Sequence, residues 1–234
     1  MQHLGENIWI FEGQAVSFFT LPYTTRMTIV RLSCGGLWVH SPIKLEQDLQ
    51  KQVDALGPVK FLVAPNQLHH LFIKEWQDSY PEAEIFGTAA VINKRKDVNF
   101  SAIFTPDFKA PWSENIEQLL FTGSRAMEEC VFFHKGSNVL IVTDLIENFY
   151  PQAFSPLKRL LAKSVGVLAP NGKMPLDWRL TFMFSKSEAR KHIAKMLRWH
   201  PQIIVMAHGI IIDNEAELFI RKSFSWLILD KIKT

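Results

Sequence analysis

The residues best suited to chemistry in this chain are a few histidines and one aspartate. His40 follows GGLWV, His69 and His70 stand side by side after FLVAPNQL, Asp144 ends VLIVTD, and His208 follows IIVMA. Neutral imidazole nitrogen and carboxylate oxygen are donors that zinc and iron both accept, at about 2.0–2.2 Å for zinc. Three or four such groups leave an open position for water, whose pKa the ion lowers toward neutrality. Each candidate lies at the end of an apolar, strand-like run or just past it. In layered α/β proteins such loops gather ligand sites, because the sheet holds them rigidly while the edge stays open. Asn66 is placed to cap a helix whose first turn holds His69 and His70, and that helix's positive end favours neutral imidazole.

Each residue also has an ordinary reading. Adjacent helical side chains diverge by about 100°, so His69 and His70 share an ion only in a loosened turn. His70 alone would be a hydrogen-bonded core residue, Asp144 a turn cap, and His208-Gly209 a tight turn.

The elements that would position these groups alternate along the chain. Residues 8–11 form a strand, and residues 26–40 read as a hairpin around Ser33-Cys34-Gly35-Gly36. Ser41-Pro42 looks like the start of a helix carrying Leu45, Leu49, Val53 and Leu56, which Gly57-Pro58 ends. Residues 59–64 are a buried strand, and Leu68, Phe72 and Trp76 repeat every four residues in the helix after Asn66. Residues 84–87 make another strand, and residues 99–144 alternate strands with turns. Residues 154–167 read as helix, Ser185 to Glu188 as a capping box for a helix to about Trp199, and residues 201–207 as a strand. Asp213 could cap a last helix to about Leu229. The loops at 94–107 and 170–178 carry no recognisable motif. With no repeat and no linker, residues 1–234 are expected to form one domain.

Composition narrows the function classes. Of 234 residues, 47% are hydrophobic, enough for a sizeable core. Lys and Arg exceed Asp and Glu by three (26 against 23), too mild a balance for nucleic acid binding. The one dense basic run, Lys94-Arg95-Lys96, is closed by Asp97 and reads as a surface turn. Cys34 and Cys130 have no CxxC spacing, so neither a cysteine zinc site nor a disulfide framework is expected. No apolar run approaches the roughly 18 residues of a membrane span, and the N-terminus lacks a signal-peptide pattern. A cytoplasmic protein is the expectation. The aromatic C-terminal residues Phe219, Phe224, Trp226 and Leu227 fit packing onto a sheet, with a partner surface as the alternative.

At Arg26-Met27, Gly35 to Pro42, Leu56-Gly57, Ala64 to His70, Trp76, Tyr80 to Ala83, Phe132 to His134, Thr143-Asp144 and His208-Gly209, the chain resembles a bacterial domain-of-unknown-function family within the metallo-β-lactamase-like superfamily. The resemblance spans about residues 8 to 210. It implies an α/β (α+β) αβ/βα four-layer sandwich, with two facing mixed sheets and outer helices. The superfamily's motif is His-x-His-x-Asp-His. With its last histidine on His70, the first two fall on Pro65 and Gln67, and the aspartate on His69. The first of two metal sites is therefore lost, and His134, in a strand before Asp144, is the nearest substitute for its third ligand. The second site keeps His69, His70, Asp144 and His208, which implies one zinc or iron ion.

The expected function is a metal-dependent hydrolase acting on an ester, amide or phosphoester. Asp144 and His208 would be catalytic, and His40, Asn66 and His134 would support the ligands or orient substrate. The partner would be a small molecule, with self-association into a homo-oligomer left open. The alternative is a degenerate, non-catalytic member that keeps the fold for binding or scaffolding. Redox chemistry at a mononuclear iron would use the same ligands.

Overall fold

Apolar runs without polar alternation mark strands covered on both faces, and the fold explains them here. The protein is described by a computed structural model over residues 1–18 and 21–227. A seven-stranded sheet holds, in order, β1 (Gln2–Gly5), β2 (Ile8–Phe18), β3 (Leu21–Arg31), β4 (Leu37–His40), β5 (Val59–Ala64), β6 (Glu84–Gly87) and β7 (Ala102–Ile103). Its first four strands are antiparallel neighbours, and β4 through β7 run parallel. The second sheet contains β8 (Ile116–Phe121), β9 (Glu129–His134), β10 (Val139–Ile141) and β11 (Ile203–Val205), ordered β11-β10-β9-β8. Only β10 and β11 pair in parallel there.

Side-chain alternation sends successive residues to opposite cores. Ile8 and Ile10 face a core between the sheets, whereas Trp9 and Phe11 face a core on the outer side. Phe61 and Val63 divide from Leu62 and Ala64 in the same way. The outer core of the first sheet takes Val53 of α1 (Gln47–Leu56), Ile73 and Trp76 of α2 (Ile73–Ser79), and Val91 of α3 (Ala89–Lys94). On the second sheet, Leu140 and Val142 face Trp178 of α5 (Leu176–Thr181), Ile193 of α6 (Lys186–Arg198) and Ile220 of α7 (Ala216–Ser223). The result is four layers, helix, sheet, sheet, helix. At about 1.5–3 kcal/mol per large buried side chain, both faces of each sheet contribute to stability. A further helix, α4 (Pro156–Val165), follows the β10 loop and packs Ala162 into a small cluster with Phe149, Phe154 and Val167.

The hairpin of residues 26–40 forms as expected, with Arg31 opposite Leu37. Five local expectations are corrected. Ser41 caps no helix: α1 begins at Gln47, and Ser41 holds a left-handed φ of 52°. The extended segment between them buries Ile43, whose carbonyl accepts from Trp76 Nε1 at 2.7 Å. Asn66 accepts N–H bonds as a cap would, yet residues 67–72 form turns and the helix starts at Ile73. The expected loop at 170–178 contains the start of α5. Ser185 makes no side-chain cap, because Glu188 instead receives the Thr122 hydroxyl. The last helix stops at Ser223, and Leu229 lies outside the described residues. Phe224 and Leu227 are buried, with Phe219 and Trp226 packed beside them, so this aromatic stretch belongs to the core. Among the described residues no helix is long and apolar enough to cross a membrane.

Candidate metal centre

Asp144 lies three residues past the end of β10, and the chain there is held by a carboxylate. Glu129, the first residue of β9, is fully buried and accepts the backbone N–H groups of Thr143, Asp144 and Leu145 at 2.7, 2.9 and 3.1 Å. Asn66, also fully buried, connects this turn to the next one. Its Nδ2 faces Asp144 Oδ2 at 2.7 Å, Thr143 Oγ1 at 2.9 Å and Glu129 Oε2 at 3.0 Å. Its Oδ1 accepts from the N–H groups of Leu68 and His69 at 2.8 and 3.1 Å. One amide thus shapes the turn that presents His69 and steers the carboxylate it meets.

His208 comes from the other side of the sheet pair. Arg26 of β3 reaches across to donate to the carbonyls of Met206 and Gly209 at 2.5 and 2.8 Å, and it is paired with Glu12. Gly209 is required for the turn, since its φ is 94° and an added Cβ would lie 2.1 Å from the Asn148 carbonyl. His208 Nδ1 donates to the Thr24 carbonyl at 2.6 Å, which turns Nε2 toward Asp144 Oδ1, 3.1 Å away. His69 is oriented similarly. Its Nδ1 meets the Ser41 hydroxyl at 2.7 Å, and its Nε2 lies 3.3–3.4 Å from the Asp144 oxygens.

One ligand atom from each of His69, Asp144 and His208 lies within 4.8 Å of the others. Two donors about 2.05 Å from a tetrahedral ion sit about 3.3 Å apart, close to the nitrogen–oxygen separations here. The chemistry of the set fits as well. Two imidazoles and one carboxylate suit zinc or iron, and both rings have their far nitrogen engaged by an oxygen, as ligating histidines do.

Electrostatics follow from this packing. Burial works to raise the Asp144 carboxyl, but the His69 charge and the hydrogen bonds from both histidines hold it well below the usual range. Burial pulls His69 down, and the Asp144 charge, the hydrogen bond to Asp144 and the Glu129 charge together outweigh it, so His69 ends raised. Glu129 is pushed up by burial and by Asp144, against the pull of its backbone N–H bonds. Glu147, in the wall of the same cavity, is driven well up by burial and then by the charges of Asp144, Asp177 and Glu129.

The other expected site residues fall elsewhere. His70 does not join the three ligand atoms. In the turns of residues 67–72 its ring points to Arg95, whose Nη1 lies 3.2 Å from His70 Nδ1 and donates to the His70 carbonyl at 2.6 Å. Arg95 is paired in turn with Asp97, so the basic run serves this turn. His40 is buried in the layer between the sheets, stacked on Trp38 at 5.4 Å and edge-on to Phe132. His134 ends β9, the strand whose first residue is Glu129, so the two sit about 16 Å apart at opposite ends. Glu129, Glu147, Arg26 and Ser41 were not among the expected site residues. Of these only Arg26 and Ser41 lay within the stretches that carried the family resemblance. Glu129 sits in MEEC, where nothing local separates it from its exposed neighbour Glu128.

The three ligand residues open onto a cavity of about 840 Å³. Its remaining wall is mostly aliphatic and aromatic, with Leu68, Phe72, Phe149, Phe154 and Trp178 among the contributors.

Residues 5–165 match the family described as a domain of unknown function (DUF4336). The chain belongs to that family. Among curated proteins none matches it. Solved structures place the DUF4336 chain in the metallo-β-lactamase fold. The DIM-1 metallo-β-lactamase superposes with a TM-score of 0.67 at 12% identity, covering 97% of this chain and 95% of that one. A metallo-β-lactamase from Pontibacter korlensis gives 0.62 at 10%, with 98% of each chain covered. The flavodiiron protein of Giardia intestinalis gives 0.68 at 11%, covering 97% of this chain and 59% of its own. At these identities the likeness is one of fold.

Proposed function

We propose that this protein is a metal-dependent hydrolase with a single zinc or iron ion held by His69, Asp144 and His208, acting on an ester, amide or phosphoester. The observation that supports it most is the convergence of those three side chains, each fixed from behind by Ser41, Asn66 or the Thr24 carbonyl, at the floor of a cavity. When bound, such an ion supplies Lewis acidity and brings water within reach of ionisation near neutral pH. The chain's own residues do the rest. Asp144 Oδ1 faces both histidines, while Asn66 keeps Oδ2 oriented as a proton acceptor. Glu147, whose carboxyl burial drives well up, lies in the cavity wall and can supply a proton to a leaving group. The apolar lining excludes bulk water.

The lost half of the motif supports a one-ion reading. The Pro65 carbonyl accepts from Cys130 N–H at 2.8 Å and Gln67 Nε2 donates to the Ala126 carbonyl at 3.0 Å. Both positions thus tie the loop to residues 126–130. The same conversion motivates the second reading, a scaffold that has kept the fold without catalysis. The two cysteines are both free, which accords with a reducing cytoplasm.

Metal analysis tests the proposal. Protein stripped with chelator should take up one equivalent of zinc or iron and gain about 2.7 kcal/mol of stability at a hundredfold excess over Kd. His69→Ala, Asp144→Asn and His208→Ala should each abolish uptake. Melting that ignores chelator, added metal and all three substitutions would leave the scaffold reading.

A further inference from the structure

The cavity wall is continuous with an apolar surface that none of the described residues covers. Leu161 of α4 and Leu180 of α5 line the cavity yet are 60% and 62% exposed, so they form its rim. Leu157, one turn before Leu161 on α4, and Phe184, in the turn after α5, are more exposed still. Apolar residues make up most of the lining, beside polar ones that include Glu147, Lys158 and Asp177, so a ligand with a hydrocarbon part fits it.

The polar groups near the ligand cluster specify the other end. Arg95 donates to His70 Nδ1, so the ring proton of neutral His70 lies on Nε2. That atom is buried and has no hydrogen-bond partner among the described residues, although His70 lines the cavity and is 5% exposed. A buried donor left unpaired costs stability unless a ligand receives it. Lys94 lines the same wall.

We propose that the cavity binds an unbranched acyl chain, with the carbonyl or carboxylate at its head received by His70 Nε2–H and Lys94. Under the hydrolase reading, on which the catalytic part of this inference rests, the substrate is an acyl ester or amide. Water adds across the acyl bond, giving a fatty carboxylic acid and an alcohol or amine. The rim leucines guide the chain in from the surface.

Binding can be measured without turnover. The probe is a dansyl-labelled undecanoate on metal-free wild type, displaced by straight-chain carboxylates from about six to about twelve carbons. Affinity should rise about three- to fourfold per methylene. Leu161→Glu and Leu180→Glu lie on exposed helix faces and should keep the melting temperature while weakening the probe at least tenfold. His70→Phe should weaken carboxylates more than the matched methyl esters, and His70→Gln should restore part of the difference. Affinity independent of chain length, or unchanged in both glutamate variants, would overturn the proposal. Failure of zinc and iron uptake with chain binding intact would overturn only the hydrolase reading.

Discussion

The carboxylate of Glu129 is the best place to test whether the Asp144 turn is built as described. Replacing it with alanine strands the N–H groups of Thr143, Asp144 and Leu145 in a fully buried place. At about 1–3 kcal/mol per unpaired buried donor, the gross loss is roughly 3–9 kcal/mol. Relief of a buried charge beside Asp144, and water entering the vacated space, offset part of it. A net loss of about 3–5 kcal/mol follows, in line with breaking other buried charged networks. Glu129→Gln keeps the shape and one acceptor oxygen. That oxygen can serve Asp144, Leu145 and Asn66, leaving an amide facing the Thr143 N–H, for a loss of about 1–2 kcal/mol. For a chain of this size the alanine variant should melt roughly 6–20 °C lower, with urea unfolding giving the same order of loss. Zinc affinity should fall about 10- to 100-fold in the alanine variant, because the ligand is no longer aimed, and less in Glu129→Gln, which keeps the Asp144 bond. If Glu129→Ala melts within about 2 °C of wild type and takes up zinc equally well, the three backbone bonds do not position Asp144.

Arg26→Met should cost about 3–5 kcal/mol in urea unfolding, since it releases the carbonyls of Met206 and Gly209 and strands the turn that carries His208. Gly209→Ala should fail to accumulate as soluble protein or lose more than about 3 kcal/mol, because its Cβ would overlap the Asn148 carbonyl. His40, which burial lowers from 6.5 to about 3, stays neutral in the fold while it charges in the unfolded chain. Its contribution is therefore complete above pH 6.5 and declines as pH falls toward 3, by about 1.4 kcal/mol per pH unit. Stability measured for wild type and His40→Phe at pH 7.5 and 5 should shift by about 2 kcal/mol in favour of the variant at the lower pH, and parallel curves would contradict this.

The strands were legible because the sandwich covers both their faces. The apolar run at 59–64 became β5 over the same residues, and residues 84–87 became β6. Turn chemistry was read less well, because it is decided by partners distant in sequence. Ser41 has a cap-forming side chain that the bond to His69 claims, whereas Asn66 makes its cap-like bonds over a run of turns and sends its amide nitrogen to Asp144. The site was legible as far as strand ends could show it, in Asp144 and His208. Which of His69 and His70 meets them depends on one turn's backbone and on Arg95, and no spacing encodes that. Glu129 could not be found, since its role exists only once β9 lies beside the Asp144 turn.

The three ligands sit 75 and 64 residues apart along the chain. No local fragment contains two of them, and bringing them together requires closing two long loops, across both sheets. A nascent or truncated chain therefore lacks the full three-donor set of the proposed centre. If the proposed centre holds an ion, capture by all three side chains must wait until residue 208 has been made and its strand docked, and occupancy would report completed folding.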